Sequence, residues 1–353
     1  MSAPSTLLAS TEPLARAYDV ALLDLDGVVY RGPAPVEHAS EAVAVARAGG
    51  MRMSFVTNNA SREPAEIARQ LTGLGMPAAA EDVMTSALAA AAMLADELPA
   101  GSGVLAVGAP ALRTALVAAG FRLVTGVEER PAAVVQGFSP DLSWRDLAQA
   151  AYAVQAGARH VATNLDTTLP TEHGIAPGNG SLVGAVRNAT GQVPASAGKP
   201  QPAIFHQAVR RAGAQAPLAV GDRLDTDLAG ARAAGIPGLH VLTGVSDARA
   251  VVLARAEERP SFLATDLRGL LEPHPAPTRA SDGWWRCGSR AARVRVHDGE
   301  ARLELDDGAL GAGVVRVDVD AWRALACAAW AAADDGAPVA PGAVPVLEVP
   351  AGA

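Results

Sequence analysis

The chain has 353 residues, 50% of them apolar and 19% charged, with a formal net charge of −8 and a pI near 5.4. That balance excludes a disordered chain and disfavours a protein living on nucleic-acid phosphates, which would carry a basic face. No apolar run reaches the roughly 18 residues of a membrane span, the start lacks the basic and apolar regions of a signal peptide, and Cys287 and Cys327 match neither a disulfide framework nor a zinc spacing. The expectation is a cytoplasmic protein without nucleic-acid or membrane partners.

After a tail at 1–17, short apolar runs alternate with longer segments of helical spacing. Strands are expected at 20–24 and 52–56, with helices at 37–48 and 64–74. Next come a helix at 86–98, a strand at 103–108, a helix at 109–119, a strand at 132–136, a helix at 143–156 and a strand at 160–163. Helices at 181–189 and 201–212 follow, then strand 218–221, helix 224–234 and strand 238–242. Such alternation predicts an α/β fold with a Rossmann-like parallel sheet covered on both faces. Ligands bind such sheets at the carboxyl ends of the strands. Pro273, Pro275 and Pro277 then mark a stiff extended linker, taken as 272–283. A small α+β module at 284–353 follows, with a hairpin about Asp298-Gly299, a strand at 314–319 and a helix at 321–333 carrying Trp322 and Trp330.

The 29 basic residues are 28 Arg and one Lys, Lys199. A lysine kept in a chain that otherwise uses arginine suggests a need for a compact ammonium rather than a guanidinium fork; chance is the plain alternative. Lys199 stands in Gly198-Lys199-Pro200, directly before a helix. Three other polar groups fall where strands should end. The first is Asp24-Leu25-Asp26-Gly27-Val28. Two carboxylates on one strand face about 4 Å apart repel by about 4 kcal/mol at an effective dielectric of 20 unless a cation joins them; a surface turn is the alternative. The second is Thr57-Asn58-Asn59, a donor cluster suited to an anion, or else a helix cap involving Ser61. The third runs from Gly221 to Asp227, where Asp222 ends a buried strand and a second acid, Asp227, lies five residues on; these are hard oxygen donors for Mg²⁺, or an acidic capping loop. Four such groups on one sheet edge are better explained by one site than by four accidents.

Taken together and in this order, DLDGV, TNN, GKP and GDRLDTD resemble the four signature motifs of the haloacid dehalogenase superfamily. TNN, GKP, the long insert between them, Asn164 and Asp166 with Pro170, and Gly178-Asn179-Gly180-Ser181 are similar to subclass IIA, the NagD-like and nitrophenylphosphatase-like phosphatases. The resemblance implies a catalytic core at 18–80 and 196–271 and an α/β cap at 81–195 that sets specificity. It implies Asp24 as nucleophile, forming an aspartyl-phosphate, and Asp26 as general acid and base. It implies that Thr57, Asn58, Asn59 and Lys199 hold the phosphoryl group. Asp24, the Asp26 backbone carbonyl and Asp222 would ligate Mg²⁺ or another divalent cation such as Mn²⁺ or Co²⁺, with Asp227 acting through water or an outer hydrogen bond. Asp26 favours phosphate-ester hydrolysis, since the superfamily's transport ATPases carry Thr there and its dehalogenases lack the aspartate.

The implied activity is a phosphomonoesterase for a small metabolite. Likeness to actinobacterial glycerol 3-phosphate phosphatases of this subclass favours that substrate, ahead of phosphoglycolate, nucleoside monophosphates and pyridoxal phosphate. Two other readings are a phosphate-metabolite-binding protein on an inactive scaffold and phosphotransfer to a second alcohol. A homodimer is compatible. The module at 284–353 departs from the family pattern. It is similar to a shortened acetyltransferase-like fold, but lacks the turn that binds an acyl-CoA pyrophosphate, so no acetyl transfer is expected. The seven histidines show no metal spacing, and 178–184 misses the dinucleotide fingerprint by one position.

Overall fold

The computed structural model describes residues 6–306, 308–311 and 313–351. Residues 1–5 of the expected tail, and 307, 312 and 352–353 of the expected C-terminal module, lie outside the described residues. The chain divides into two compact units, Met1–Ser54 with Gly213–Ala353, and Phe55–Ala212.

The first unit is built on parallel strands. Val20–Leu23 pairs with Pro217–Gly221, which pairs with Gly238–Val241, which pairs with Phe262–Ala264. The start of strand Arg52–Thr57 lies beside the first of these, where the Arg52 N–H donates to the Asp19 carbonyl at 2.9 Å. Val20, Leu22, Leu239 and Leu263 are all essentially fully buried. A parallel sheet covered on both faces requires such continuous apolar runs, which the sequence has. After Gly221 the backbone makes one π-helical turn, Leu224–Leu228, before the helix Ala229–Ala233. Single π turns inside helices often mark functional sites, and this one carries the acidic motif.

The C-terminal segment belongs to this same unit. Five antiparallel strands, Thr278–Arg279, Trp285–Cys287, Arg290–His297, Glu300–Leu305 and Gly308–Ala309, form its sheet, and the helix Val319–Asp334 packs on it. The expected hairpin is present. Asp298 and Gly299 both adopt positive φ, and His297 faces Glu300. Trp285, Trp322, Leu325 and Trp330 share one apolar core with Leu224, Leu228, Val251 and Leu263. Within the expected stiff linker, Ser10 and His274 exchange two backbone hydrogen bonds of 2.8 Å, and His274 is buried.

In the second unit, a five-stranded parallel sheet has the order Ala195–Ser196, Arg159–Ala162, Ala133–Gln136, Gly103–Val107, Arg122–Val124. Residues Phe55 to Thr57 pair in parallel with the short strand Val83–Thr85. Residues 55–80 and 196–212 lie in this unit together with 81–195. The reason is packing: helix Ser86–Glu97 lies on helix Ala203–Ala212, and helix Pro64–Gly73 lies on Val83–Thr85. No helix among the described residues is long and apolar enough to cross a membrane.

Candidate active site

Two clusters of polar side chains gather the residues singled out in the sequence, one in each unit. The first cluster is acidic. The Asp24 N–H donates to the Val220 carbonyl at 2.9 Å, which sets Asp24 alongside the strand that delivers Asp222. Carboxylate oxygens of Asp24, Asp222 and Asp227 all lie within 4.8 Å of one another. Asp222 is 0% exposed and Asp227 3% exposed. Three carboxylates this close and this dry repel strongly at low dielectric. A hard divalent cation relieves that repulsion, and Mg²⁺ takes a small number of carboxylates at a time. The donor set therefore fits Mg²⁺.

Backbone donors hold the acids in place. Asp222 Oδ2 accepts the Val245 N–H at 2.7 Å, and the Asp222 carbonyl accepts the Ser246 N–H at 3.0 Å. Asp227 Oδ2 accepts the Arg223 N–H at 3.1 Å across the π turn. Ser246 Oγ accepts the Leu224 N–H at 3.1 Å. Behind this loop, His240 is fully buried, and desolvation pushes its pKa down to about 4, so it stays neutral. Sequence reasoning missed the loop from Thr243 to Ser246; a Thr-Gly pair closing strand Gly238–Val241 was the available signal.

One expectation changes here. Strand Val20–Leu23 stops before Asp24, so Asp24 and Asp26 do not share a strand face. Asp24 is half-buried in the acidic cluster, while Asp26 is exposed on the following turn. Asp227, expected to act through water or an outer hydrogen bond, brings a carboxylate oxygen within 4.8 Å of those of Asp24 and Asp222.

The second cluster centres on Lys199, which is 4% exposed, so it is no surface lysine. Its Nζ donates to the Val56 carbonyl at 3.1 Å. Thr57 is buried and its Oγ1 accepts the Asn59 N–H at 3.1 Å. Asn59 Oδ1 accepts the Ser61 and Arg62 N–H groups, both at 3.0 Å. Ser61 does not cap the helix: Glu63 is the N-cap of helix Pro64–Gly73 and forms a capping box with Glu66, while Asn59 orders the turn before it. Asn58 is engaged throughout by protein: Oδ1 accepts the Lys199 N–H at 2.7 Å, and Nδ2 donates to the Lys199 carbonyl at 3.1 Å and to Asp166 Oδ2 at 3.1 Å. Asn164 and Asp166, which carry part of the subclass resemblance, both bond to Asn58.

Similarities to known proteins follow the same lines. A family model described as haloacid dehalogenase-like hydrolase matches residues 21–122, and one described as HAD-hydrolase-like matches 196–270. The chain is 45% identical over 322 residues to the D-glycerol 3-phosphate phosphatase of Mycobacterium tuberculosis, covering 90% of this chain and 88% of that one. It is 36% identical over 231 residues to the acid sugar phosphatase of Staphylococcus saprophyticus, covering 65% of this chain and 88% of the relative. The crystal structure of the glycerol phosphate phosphatase from M. tuberculosis in complex with magnesium superposes with a TM-score of 0.79 at 44% identity, covering 91% of this chain and 93% of that one. Matches covering nine-tenths of the chain must run well into the segment after residue 271.

Proposed function

The chain belongs to the haloacid dehalogenase-like hydrolases and is a Mg²⁺-dependent phosphatase, and from that premise we propose that it hydrolyses glycerol 3-phosphate through a phosphoryl group carried on Asp24. The observation that carries this reading is the gathering of Asp24, Asp222 and Asp227 carboxylates within 4.8 Å on the ends of adjacent parallel strands. One Asp24 oxygen attacks phosphorus, and the bond from phosphorus to the glycerol oxygen breaks. Asp26, exposed beside it, gives its proton to the leaving alkoxide. Asp26 then takes a proton from water as that water attacks phosphorus, and the bond to Asp24 breaks to release inorganic phosphate.

Asp24, the Asp26 carbonyl and Asp222, with Asp227 beside them, are assigned to hold Mg²⁺. When bound, the ion offsets the repulsion between a carboxylate nucleophile and a phosphate dianion. Thr57, Asn59 and Lys199 are assigned to the phosphoryl oxygens, a role that a buried ammonium suits. Residues 81–195 are assigned the choice of leaving group. The preference for glycerol 3-phosphate is supported by 45% identity to a phosphatase of that name over 90% of the chain. Aromatic content of only 4% agrees with a substrate that needs no stacked base. A cytoplasmic setting is supported by two buried cysteines held as thiols.

The test is phosphate release from glycerol 3-phosphate, phosphoglycolate, a nucleoside monophosphate and pyridoxal phosphate, with and without Mg²⁺. Glycerol 3-phosphate should give the highest kcat/KM, and chelation should abolish turnover. A higher kcat/KM on any other member of the panel would overturn the substrate assignment. Molar mass in solution decides between a monomer and a homodimer.

A further inference from the structure

We propose that Asn58 is a positioning residue that clamps the peptide of Lys199, with Asp166 fixing the orientation of the clamp, rather than a ligand of the phosphoryl group. This deepens the reading above and rests on its assignment of Lys199.

The geometry leaves the Asn58 amide little freedom. The Lys199 N–H can only donate, so the atom 2.7 Å from it must be Oδ1. The Asp166 carboxylate can only accept, so the atom 3.1 Å from it must be Nδ2. The second Nδ2 hydrogen then reaches the Lys199 carbonyl at 3.1 Å. One primary amide thus closes on both polar groups of one residue. The same strand end also takes the lysine side chain, through the Val56 carbonyl at 3.1 Å. Contacts from residues 56 to 58 thus reach both the peptide and the ammonium of Lys199.

The clamp is itself held. The Asn58 carbonyl accepts Ser86 Oγ at 2.6 Å and Asn164 Nδ2 at 2.7 Å. The Asn164 carbonyl in turn accepts Asn179 Nδ2 at 2.7 Å. Gly198 makes the approach feasible. A Cβ at that position would lie 2.6 Å from Asn58 Oδ1 and 2.6 Å from the Thr163 carbonyl oxygen, so any side chain there would push the clamp aside. With its amide committed to Lys199 and Asp166, Asn58 is placed to hold a phosphate-binding group and not the phosphate.

The two roles separate in a suppressor experiment. Asn58→Asp keeps an acceptor for the Lys199 N–H but sets a carboxylate against Asp166. Asp166→Asn, added to it, restores a donor facing the new carboxylate. Thermal unfolding, kcat and KM on p-nitrophenyl phosphate, the Mg²⁺ activation constant and the affinity for inorganic phosphate are measured for each variant. Asn58→Asp should lose kcat/KM on the order of 100-fold, the scale of a catalytic group displaced by about 1 Å. Phosphate affinity should fall with it, and the Mg²⁺ constant should stay within about twofold, because the acidic ligands hang on other strands. The double variant should recover at least about tenfold over Asn58→Asp. A direct phosphate ligand predicts no recovery, since a carboxylate at 58 would repel phosphate whatever stands at 166, and that result would overturn the clamp. So would wild-type kcat/KM and phosphate affinity in Asn58→Ser, the uncharged variant used if Asn58→Asp does not fold. Phosphate binding by calorimetry needs no turnover. An inactive wild type would therefore remove the reading of the reaction while the clamp is still decided by the binding arm.

Discussion

A Cβ added to Gly244 would lie 1.8 Å from Asp222 Oδ2 and 2.3 Å from its Cγ. The glycine exists so that backbone can press against the deepest carboxylate of the acidic cluster, which the neighbouring Val245 N–H then grips at 2.7 Å. Gly244→Ala must therefore move either the loop or Asp222. The Mg²⁺ concentration for half-maximal activity should rise at least about tenfold, equivalent to about 1.4 kcal/mol, with much of the rate restored at saturating Mg²⁺. An unaltered Mg²⁺ titration would show that Asp222 is not a metal ligand.

Asp24→Asn removes the nucleophile while leaving the backbone contact to Val220 in place. Turnover of every phosphate ester should fall by at least about 1000-fold, with an unchanged far-UV spectrum and melting temperature. Retained turnover would refute the covalent route. Lys199→Arg tests the solitary lysine separately. Its site is buried and shaped around a point charge bonded to the Val56 carbonyl, and the larger planar fork should reduce kcat/KM on the order of 100-fold. Near-normal kinetics would return Lys199 to coincidence.

Much of this was readable in the residues, and what was not has a physical cause. The parallel core was legible because buried strands such as Val20–Leu23 are unbroken apolar runs, and the acids because they stand where those runs end. Three-residue strands such as Val83–Thr85 and Arg122–Val124 are too short to show a period. The tie between Asn58 and Asp166 spans 108 positions, and no local pattern encodes a contact at that distance. The same holds for the C-terminal segment. The helix carrying Trp322 and Trp330 was legible, but their partners, the Ala248 and Val251 carbonyls, lie 74 and 79 positions upstream.

Those two tryptophans make a stability prediction. Each is at most 1% exposed, and each indole N–H donates at 2.9 Å to a carbonyl of helix Ala248–Val252. Trp330→Ala should lower stability by about 3–5 kcal/mol, from a large cavity and an orphaned carbonyl. Truncation after Pro273 should yield an aggregating or unfolded chain, because it uncovers Leu224, Leu228, Val251 and Leu263 together. A truncated chain that stays monomeric and melts like the full-length protein would show that the segment adds nothing to the core.

His274 ties stability to pH. Its Nε2 meets the Gly269 carbonyl at 2.7 Å and its Nδ1 meets an Arg323 nitrogen at 3.2 Å, which places Nδ1 as the acceptor of an arginine N–H. Burial above all, with the Arg323 charge adding to it, pushes the folded-state pKa down to about 4. In the unfolded chain the imidazole titrates near 6.5. Between those values the unfolded state binds a proton that the folded state refuses, so stability rises with pH across the window and is lost as pH falls from about 6.5 towards 4. His160 and His240, also pushed down to about 4 by burial, act in the same direction. Urea unfolding between pH 5 and 7.5 should therefore show a positive slope. His274→Gln, which cannot titrate, should reduce that slope by up to about 1.4 kcal/mol per pH unit. An identical slope in the variant would mean that His274 is protonated alike in both states and that Arg323 does not hold it neutral.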